Sequence, residues 1–322
     1  MVKDSISGSL MPFELDQISE VVPALKKLEC SINTFKFEHI IDSSNMKPAF
    51  WAQLVGVIEQ NYDDYDGFVV LHGTDTMSYT ASALSFMIEN LSKPIILTGS
   101  QLPLDAIRTD GRENIISAIE IAANKEVILP EVCIFFDNKL FRANRTTKIN
   151  AEYFEAFYSG NYPSLAKVGI NITYKNHLIL PLPQKEIKIY KSLCDDVVIV
   201  KIHPALKEKH LEAILNVDNL QAVVLETYGS GNAPTEKWFI DLIKHTINRQ
   251  IIVYNITQCK AGSVVMGHYQ TSQQLVDVGV LSGYDITTES ALAKLMFLLG
   301  NYQDKTLIKQ LLLTNLRGEI TK

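Results

Sequence analysis

The chain has 322 residues, of which 47% are hydrophobic and 20% are charged, and its formal net charge is −6. This composition is typical of a soluble globular protein with one large domain or two ordinary ones. The chain has no run of basic residues that would bind nucleic acids. Its first residues, Met1–Phe13, hold no apolar stretch of signal-peptide length, and no segment is apolar over the length of a membrane-spanning helix. We therefore expect a cytoplasmic protein with no nucleic-acid or membrane partner.

Cysteine and histidine give no sign of a metal or redox centre. The cysteines Cys30, Cys133, Cys194 and Cys259 are widely separated and form no C-x-x-C pair. Three of them lie in apolar, strand-like surroundings, where a reduced and buried thiol is expected. The seven histidines lack the spacing of zinc ligands. We expect no metal and no other cofactor.

The first half of the chain alternates between short apolar runs and helical patterns. Tyr79–Leu91 and Asp110–Asn124 carry apolar residues at helical spacing, and Asp110 is of a type that often caps a helix. The apolar runs predict fully buried strands of a parallel sheet, at Phe68–Leu71, Pro94–Leu97 and Val132–Phe136. This order predicts a layered α/β domain.

The alternation stops between Pro163 and Cys194, a segment with three prolines and no helical stripe. A second α/β series follows, with elements predicted at Val197–Val200, Ala222–Leu225, Glu236–Ile247, Ile251–Tyr254 and Glu289–Leu299. The predicted fold class is α/β, in two domains with mostly parallel sheets. We expect a larger N-terminal domain at 1–180, a linker at 181–195 and a smaller C-terminal domain at 196–322.

The stretch His72–Met77, with the sequence H-G-T-D-T-M, lies where a predicted strand ends and a helix begins. Ligands of open α/β sheets bind at this edge, near helix N-termini. The Thr74 hydroxyl beside the Asp75 carboxylate could hold a substrate ammonium or position a water. Asp75, Thr76 or Ser78 could equally serve only as a helix cap, and local physics alone favours the cap.

Three other polar stretches also follow strand-like runs. Asn144–Lys148 contains a lysine that could act as a base once it loses its proton, although a solvated surface lysine is commoner. Asp42–Met46 follows the strand-like run Phe35–Ile40 and suits an Asx-type turn, but it could equally present hydroxyls to a carboxylate. Tyr228–Pro234 is rich in glycine but lacks the patterns that bind phosphates or dinucleotides.

Taken together and in this order, these segments resemble the L-asparaginase family, in its type I, bacterial cytoplasmic branch. The resemblance covers essentially the whole chain, and His72–Met77 is its most specific motif. The other matching segments are Asp42–Met46, Tyr62–Phe68, Thr98–Pro103, Asn144–Lys148, Tyr228–Pro234, Asn255–Cys259 and Asn315–Glu319.

The resemblance implies an enzyme that hydrolyses the side-chain amide of L-asparagine to L-aspartate and ammonia through a threonine acyl-enzyme. It implies that Thr74 positions and activates a water and that Lys148 tunes the Thr74 proton. Asp75 would bind the substrate ammonium.

The resemblance also assigns the remaining binding residues. Ser43 and Ser44 would hold the α-carboxylate of the substrate, and Ser100 would line the pocket near the amide. Asn232 resembles a residue that a neighbouring subunit lends to the site. The resemblance therefore implies a homo-oligomer, an intimate dimer that pairs into a homotetramer.

The start of the chain departs from the family pattern. Family members begin with a strand and a T-G-G-T-I-G-M motif, whose second threonine is the primary nucleophile, whereas Met1 here matches the last residue of that motif. We expect a polypeptide that truly starts at Met1 to be nearly inactive and poorly stable, because a sheet edge would be exposed. The Gly8–Pro12 stretch also lacks the tyrosine that often follows the nucleophile, since Tyr62 is the first tyrosine.

A further departure concerns regulation. Some type I relatives bind an activating asparagine with an arginine that corresponds to Glu226, beside counterparts of Thr147 and Cys259. A carboxylate would repel the ligand's own carboxylate. We expect no allosteric activation by that route.

Two other hypotheses stay open at this point. The protein could be a catalytically dead relative that only binds asparagine or aspartate. It could also be the amidase subunit of a tRNA-dependent amidotransferase, although the acidic charge balance argues against a tRNA-facing surface. Glutamine as the main substrate stays open as well, because one methylene changes affinity only modestly.

Overall fold

The structure is a computed structural model that describes residues 2–3, 10–11, 18–38, 40–267 and 270–321. The chain divides into two compact units, the first formed by Met1–Ser159 with Pro163–Ile189 and the second by Gly160–Tyr162 with Tyr190–Lys322. Each unit contains a β-sheet with helices packed on it. The predicted fold class, two α/β domains, is confirmed.

The described strands of the first unit are β1 (Val2–Lys3), β2 (Leu10–Met11), β3 (Phe68–Leu71), β4 (Ile88–Glu89), β5 (Ile95–Thr98), β6 (Val132–Phe136), β7 (Lys139–Arg142), β8 (Thr147–Lys148), β9 (Phe157–Tyr158), β10 (Ala166–Val168), β11 (Ile172–Tyr174) and β12 (Lys188–Ile189). Its helices are α1 (Ile18–Val21), α2 (Pro48–Gln60), α3 (Met77–Met87) and α4 (Gly111–Ala123), with short 3-10 turns at Pro23–Lys27, Ser43–Asn45, Ala143–Arg145 and Asn176–Leu178.

Six of these strands form the main sheet, in the order β11-β10-β7-β6-β5-β3. β3, β5 and β6 run parallel, as predicted, and three antiparallel strands extend them. The β6–β7 hairpin turns on Asp137 and Asn138, whose φ angles of 48° and 60° are those of a type I′ turn. Smaller antiparallel pairs are β1–β2, β4–β12 and β8–β9.

The burial of the three predicted strands differs with their place in the sheet. β5 and β6 are buried along their whole length. β3 is only half-buried, and Leu71 at its end is 36% exposed. Its predicted full burial was wrong because β3 is the last strand of this sheet among the residues that the structure describes. An apolar run shows that a strand has apolar neighbours but not whether it lies at an edge.

The helix predictions need smaller corrections. α3 begins at Met77, two residues before the predicted start, and all of its residues except Tyr79 are buried. The strand-like run Phe35–Ile40 forms no strand in its described residues, and Phe35 is exposed. His39 in this run lies outside the described residues, as do Met1 and most of the Gly8–Pro12 stretch.

The second unit is a parallel sheet of four strands in sequential order: β13 (Val197–Lys201), β14 (Ala222–Thr227), β15 (Ile252–Thr257) and β16 (Leu281–Ser282). Its helices are α5 (Glu208–Leu215), α6 (Lys237–Asn248), α7 (Gln270–Asp277), α8 (Thr288–Asn301) and α9 (Lys305–Leu312). The core is made by β14 and β15 with the buried face of α6, for example Val223, Val253 and Phe239. Across the described ranges of both units, no helix has the length and apolar character that a membrane crossing requires.

Candidate active site

The loop between β3 and α3 packs directly on the Ser43–Asn45 turn. A Cβ atom at Gly73 would lie 2.5 Å from Ser43 Oγ and 2.8 Å from Ser43 Cβ, so only glycine allows this approach. Thr76 Oγ1 donates a hydrogen bond to the Ser43 carbonyl at 2.6 Å. Thr76 occupies the N-cap position of α3, but its side chain makes no capping bond. The capping interpretation of Thr76 is therefore wrong.

Two polar groups of this loop meet a lysine from the β8–β9 hairpin. Lys148 Nζ donates to Thr74 Oγ1 at 2.8 Å and to Asp75 Oδ1 at 2.7 Å. The lysine side chain is 19% exposed, whereas that of Asp75 is 62% exposed. The structure thus brings Thr74, Asp75 and Lys148 together at the carboxyl end of the sheet.

The chemistry open to this cluster follows from its three polar groups. The exposed Asp75 carboxylate can accept hydrogen bonds from a cationic ligand while one of its oxygens holds Lys148. A lysine that loses its proton can accept the proton of the hydroxyl it contacts. The arrangement therefore combines a cation-binding carboxylate with a hydroxyl–amine pair that can move a proton.

Sequence reasoning did not assign a role to Gln101, which the structure places against Thr74. Thr74 Oγ1 donates to Gln101 Oε1 at 3.2 Å, and Gln101 Nε2 donates to the Tyr153 carbonyl at 3.1 Å. The signal was present in the order of the sheet. Gln101 follows β5, the parallel neighbour of β3, and the carboxyl ends of adjacent parallel strands lie side by side.

The sequence suggested that Asp110 caps α4, but in the structure its side chain supports the loop that carries Gln101. Its side chain makes no capping bond to the helix. Its carboxylate accepts the backbone N–H of Gln101 at 3.1 and 3.0 Å and that of Leu102 at 3.1 Å. The predicted helix start is correct, but the predicted reason for it was wrong.

His72 lies behind the site with both ring nitrogens engaged. Nδ1 lies 2.6 Å from the Gly73 carbonyl, which can only accept, so Nδ1 carries the proton. Nε2 then accepts from Thr80 Oγ1 at 2.8 Å, and Trp51 Nε1 donates to the same hydroxyl at 2.9 Å. Burial lowers the pKa of His72, which favours this neutral ring. The imidazole therefore orders the backbone next to Thr74.

The serines expected to contact the substrate lie in two loops of the first unit. Ser44 is exposed, and its hydroxyl and backbone N–H donate to Asp42 at 2.7 and 2.8 Å, which is the Asx-type turn expected here. These bonds lower the pKa of Asp42. Ser43 is buried against the Gly73 loop. Ser100 is half-buried and directly precedes Gln101.

Asn232 belongs to the second unit. It ends a tight turn after β14, in which Tyr228 and Asn232 exchange backbone hydrogen bonds of 2.9 Å each way. Gly229 and Gly231 in this turn have positive φ angles. The predicted contribution of Asn232 to a neighbouring subunit stays a prediction.

Glu226 is also in the second unit and is only 8% exposed. Its carboxylate accepts from Thr288 Oγ1 at 2.5 Å, and Lys201 Nζ lies 3.8 Å away. The side chain is thus already paired within its own unit. The expectation that asparagine does not activate the protein by this route stays a prediction.

The cysteines correct one expectation. All four fall within the described residues and are free thiols, but only Cys133 is buried. Burial raises the pKa of that thiol well above its usual value. Cys30 and Cys194 are half-buried and Cys259 is exposed, so the expectation of three buried thiols was wrong. In the part of the chain that the structure covers, no three His, Cys, Asp or Glu side chains cluster as metal ligands would.

Comparison with known proteins places the chain in a family of amide-hydrolysing enzymes. Residues 1–180 match the family model "Asparaginase, N-terminal", and residues 196–312 match "Glutaminase/Asparaginase C-terminal domain". The chain therefore belongs to the asparaginase family, which confirms the resemblance seen in its motifs. It is 43% identical to L-asparaginase 1 of Escherichia coli (strain K12) over 286 residues, 89% of this chain and 84% of that protein.

Two solved structures show the same fold. The crystal structure of L-asparaginase I from Vibrio cholerae matches with a TM-score of 0.84 at 42% identity, over 89% of this chain and 86% of that one. The L-asparaginase of Thermococcus kodakarensis matches with a TM-score of 0.91 at 30% identity, over 99% and 95% of the two chains. The two-domain architecture is thus shared along essentially the whole sequence.

Proposed function

We propose that the protein hydrolyses the side-chain amide of L-asparagine to L-aspartate and ammonia. One observation carries this proposal: Lys148 Nζ contacts both Thr74 Oγ1, at 2.8 Å, and Asp75 Oδ1, at 2.7 Å, in a chain of the asparaginase family. The relatives named above as L-asparaginases support the same substrate.

In this proposal the polar loops bind the two charges of the amino acid. Asp75 accepts hydrogen bonds from the α-ammonium, and its high exposure supports a role toward a ligand. Ser43 and Ser44 hold the α-carboxylate, since their turn packs against the loop that carries Asp75. Ser100 lines the pocket beside the amide.

The chemistry proceeds through a threonine ester. A threonine hydroxyl, which the family resemblance assigns to the T-G-G-T-I-G-M motif, adds to the amide carbon. Its proton passes to the amide nitrogen, and the C–N bond breaks to release ammonia. Water then adds to the ester and aspartate leaves as the threonine regains its proton. Thr74 accepts a proton from this water and passes its own to Lys148, which the 2.8 Å contact between them supports.

We further propose a cytoplasmic homotetramer in which Asn232 completes the site of a neighbouring subunit. The β8–β9 hairpin carries three exposed apolar side chains, Ile149, Tyr153 and Tyr158. Such a group supports a contact with another subunit at this surface. The four free thiols support a reducing compartment.

Ammonia release and ligand binding test this proposal on the purified protein, with any residues that its gene encodes ahead of Met1. We expect ammonia from L-asparagine, and a loss of kcat of about 10²- to 10⁴-fold in Thr74→Val and Lys148→Met. Thr173→Val and Lys167→Met, exposed positions on β11 and β10, serve as matched controls with unchanged activity.

Calorimetric titration with L-aspartate separates the competing hypotheses. Binding without ammonia release would identify a catalytically dead binding protein and contradict the proposal. Release from L-glutamine at a higher kcat/KM than from L-asparagine would contradict the proposed substrate.

A further inference from the structure

Gln101 connects the two sides of the candidate site. Its side-chain oxygen accepts from Thr74 at 3.2 Å, and its side-chain nitrogen donates to the carbonyl of Tyr153 at 3.1 Å. Tyr153 lies in the same β8–β9 hairpin as Lys148. Since Lys148 itself donates to Thr74, a closed ring of contacts joins the hairpin, Thr74 and Gln101.

The direction of each hydrogen bond in this ring follows from the chemistry of its groups. The Tyr153 carbonyl can only accept, so the Gln101 amide turns its NH₂ toward it and its oxygen toward Thr74. That oxygen also only accepts, so the Thr74 hydroxyl donates its single proton to it. The Lys148 ammonium donates to a lone pair of the same hydroxyl. A second lone pair of Thr74 is left for a further donor.

The Gln101 side chain thus forms a bridge between Thr74 and the Tyr153 carbonyl, and the backbone around Gln101 holds this bridge in place. Both carboxylate oxygens of Asp110 accept its N–H, and one of them also accepts the N–H of Leu102. Asn114, one turn into α4, donates to the same carboxylate at 3.3 Å. A side chain held on such a loop loses little further freedom when it positions a neighbour.

We propose that Gln101 is a positioning residue that fixes Thr74 Oγ1 relative to Lys148 Nζ. While the lysine is charged, Gln101 Oε1 accepts the hydrogen bond of the Thr74 hydroxyl. When the amine loses its proton, rotation about the Thr74 C–O bond turns the hydroxyl proton toward Nζ without moving Oγ1. The catalytic part of this proposal rests on the proposed asparaginase activity, whereas the bridge to the hairpin does not.

Gln101→Met tests the bridge, because methionine keeps the length of the side chain but removes both hydrogen bonds. We expect kcat to fall about 10- to 100-fold while KM stays within about 3-fold, since a displaced reacting group affects the rate more than binding. Without substrate, backbone amides of residues 149–156 should exchange hydrogen faster than in the wild type. Gln273→Met, at an exposed helical glutamine that donates to Asp277 at 2.7 Å, is the matched control and should change neither.

Folded Gln101→Met with wild-type kcat and wild-type exchange would overturn the proposal. A wild type that releases no ammonia would overturn the proposed function, and the exchange comparison would still decide the bridge.

Discussion

Lys294 and Glu319 form an ion pair of 2.6 Å in the interior of the second unit, where both side chains are completely buried. Lys294 also donates to the carbonyls of Leu312 and Thr314, and the Glu319 carboxylate accepts the backbone N–H groups of Leu316 and Arg317. The bonds of Lys294 fasten the end of α9 and the segment after it to α8, and those of Glu319 to Leu316 and Arg317 hold that segment in a turn. Two charges removed from water are thus compensated by each other and by the backbone.

Removal of one partner of this pair should strongly destabilise the second unit. We expect Lys294→Met to lower the free energy of unfolding by about 3–5 kcal/mol, because it leaves Glu319 charged and buried without its cation. Urea denaturation followed by fluorescence measures this. Lys237→Met, which removes an exposed ion pair with Asp241, is the control and should leave the urea midpoint unchanged. Equal midpoints for the two variants would contradict the assignment of Lys294.

Substitution of Asp75 should separate binding from chemistry. We expect Asp75→Asn to raise KM about 10- to 100-fold, because a neutral amide replaces the carboxylate that accepts the substrate ammonium. Steady-state kinetics with L-asparagine measures the effect. Asp66→Asn, at an exposed ion pair with Lys125, provides the control. An unchanged KM in Asp75→Asn would show that the ammonium binds elsewhere.

The close approach of Gly73 to Ser43 predicts that replacing this glycine destabilises the protein. In Gly73→Ala, rotation of the Ser43 hydroxyl relieves the 2.5 Å contact but not the 2.8 Å contact with its Cβ, so one of the two loops must shift. We expect a destabilisation of about 1–3 kcal/mol and a raised KM. Gly169→Ala is the matched control, because its new Cβ would meet nothing closer than 3.9 Å. Thermal unfolding of both variants measures this difference in stability, and equal melting temperatures would contradict the prediction.

The buried imidazole predicts a specific pH dependence of stability. Because burial lowers the pKa of His72 in the folded state, the unfolded chain binds more protons below about pH 6.5, the ordinary value for histidine. The contribution of His72 is therefore fully present above that pH and is lost as the pH falls. Urea unfolding at a series of pH values should show a shallower acid loss in His72→Gln than in the wild type. Parallel curves would argue against a buried neutral ring.

The long elements could be predicted because their apolar period depends on the local sequence. α4, α6 and α8 lie within three residues of the predicted ranges. β8 could not be predicted, because a strand of two residues, Thr147 and Lys148, carries no period. The antiparallel pairing of β7 with β6 was also missed. Its signal lies in the turn residues Asp137 and Asn138 and not in an apolar period.

The candidate site could be predicted from the sequence only in part, for a different reason. The motif around Thr74 and Asp75 could serve a ligand, but local physics alone favoured a helix cap, and only the family resemblance pointed to a ligand role. The contact of Thr74 with Gln101 joins residues 27 positions apart, and it depends on the register of β3 against β5. The roles proposed for Ser43, Ser44, Ser100 and Asn232 stay predictions.

The neutral state of His72 also determines which charges an approaching molecule meets. With the imidazole uncharged, the side chains in contact at Thr74 carry one negative group, Asp75, and one positive group, Lys148. These cancel at a distance, so the pair draws in neither simple anions nor simple cations by long-range attraction. A zwitterion has no net charge and therefore loses nothing when such a pull is absent, while its ammonium can still pair with Asp75 at close range.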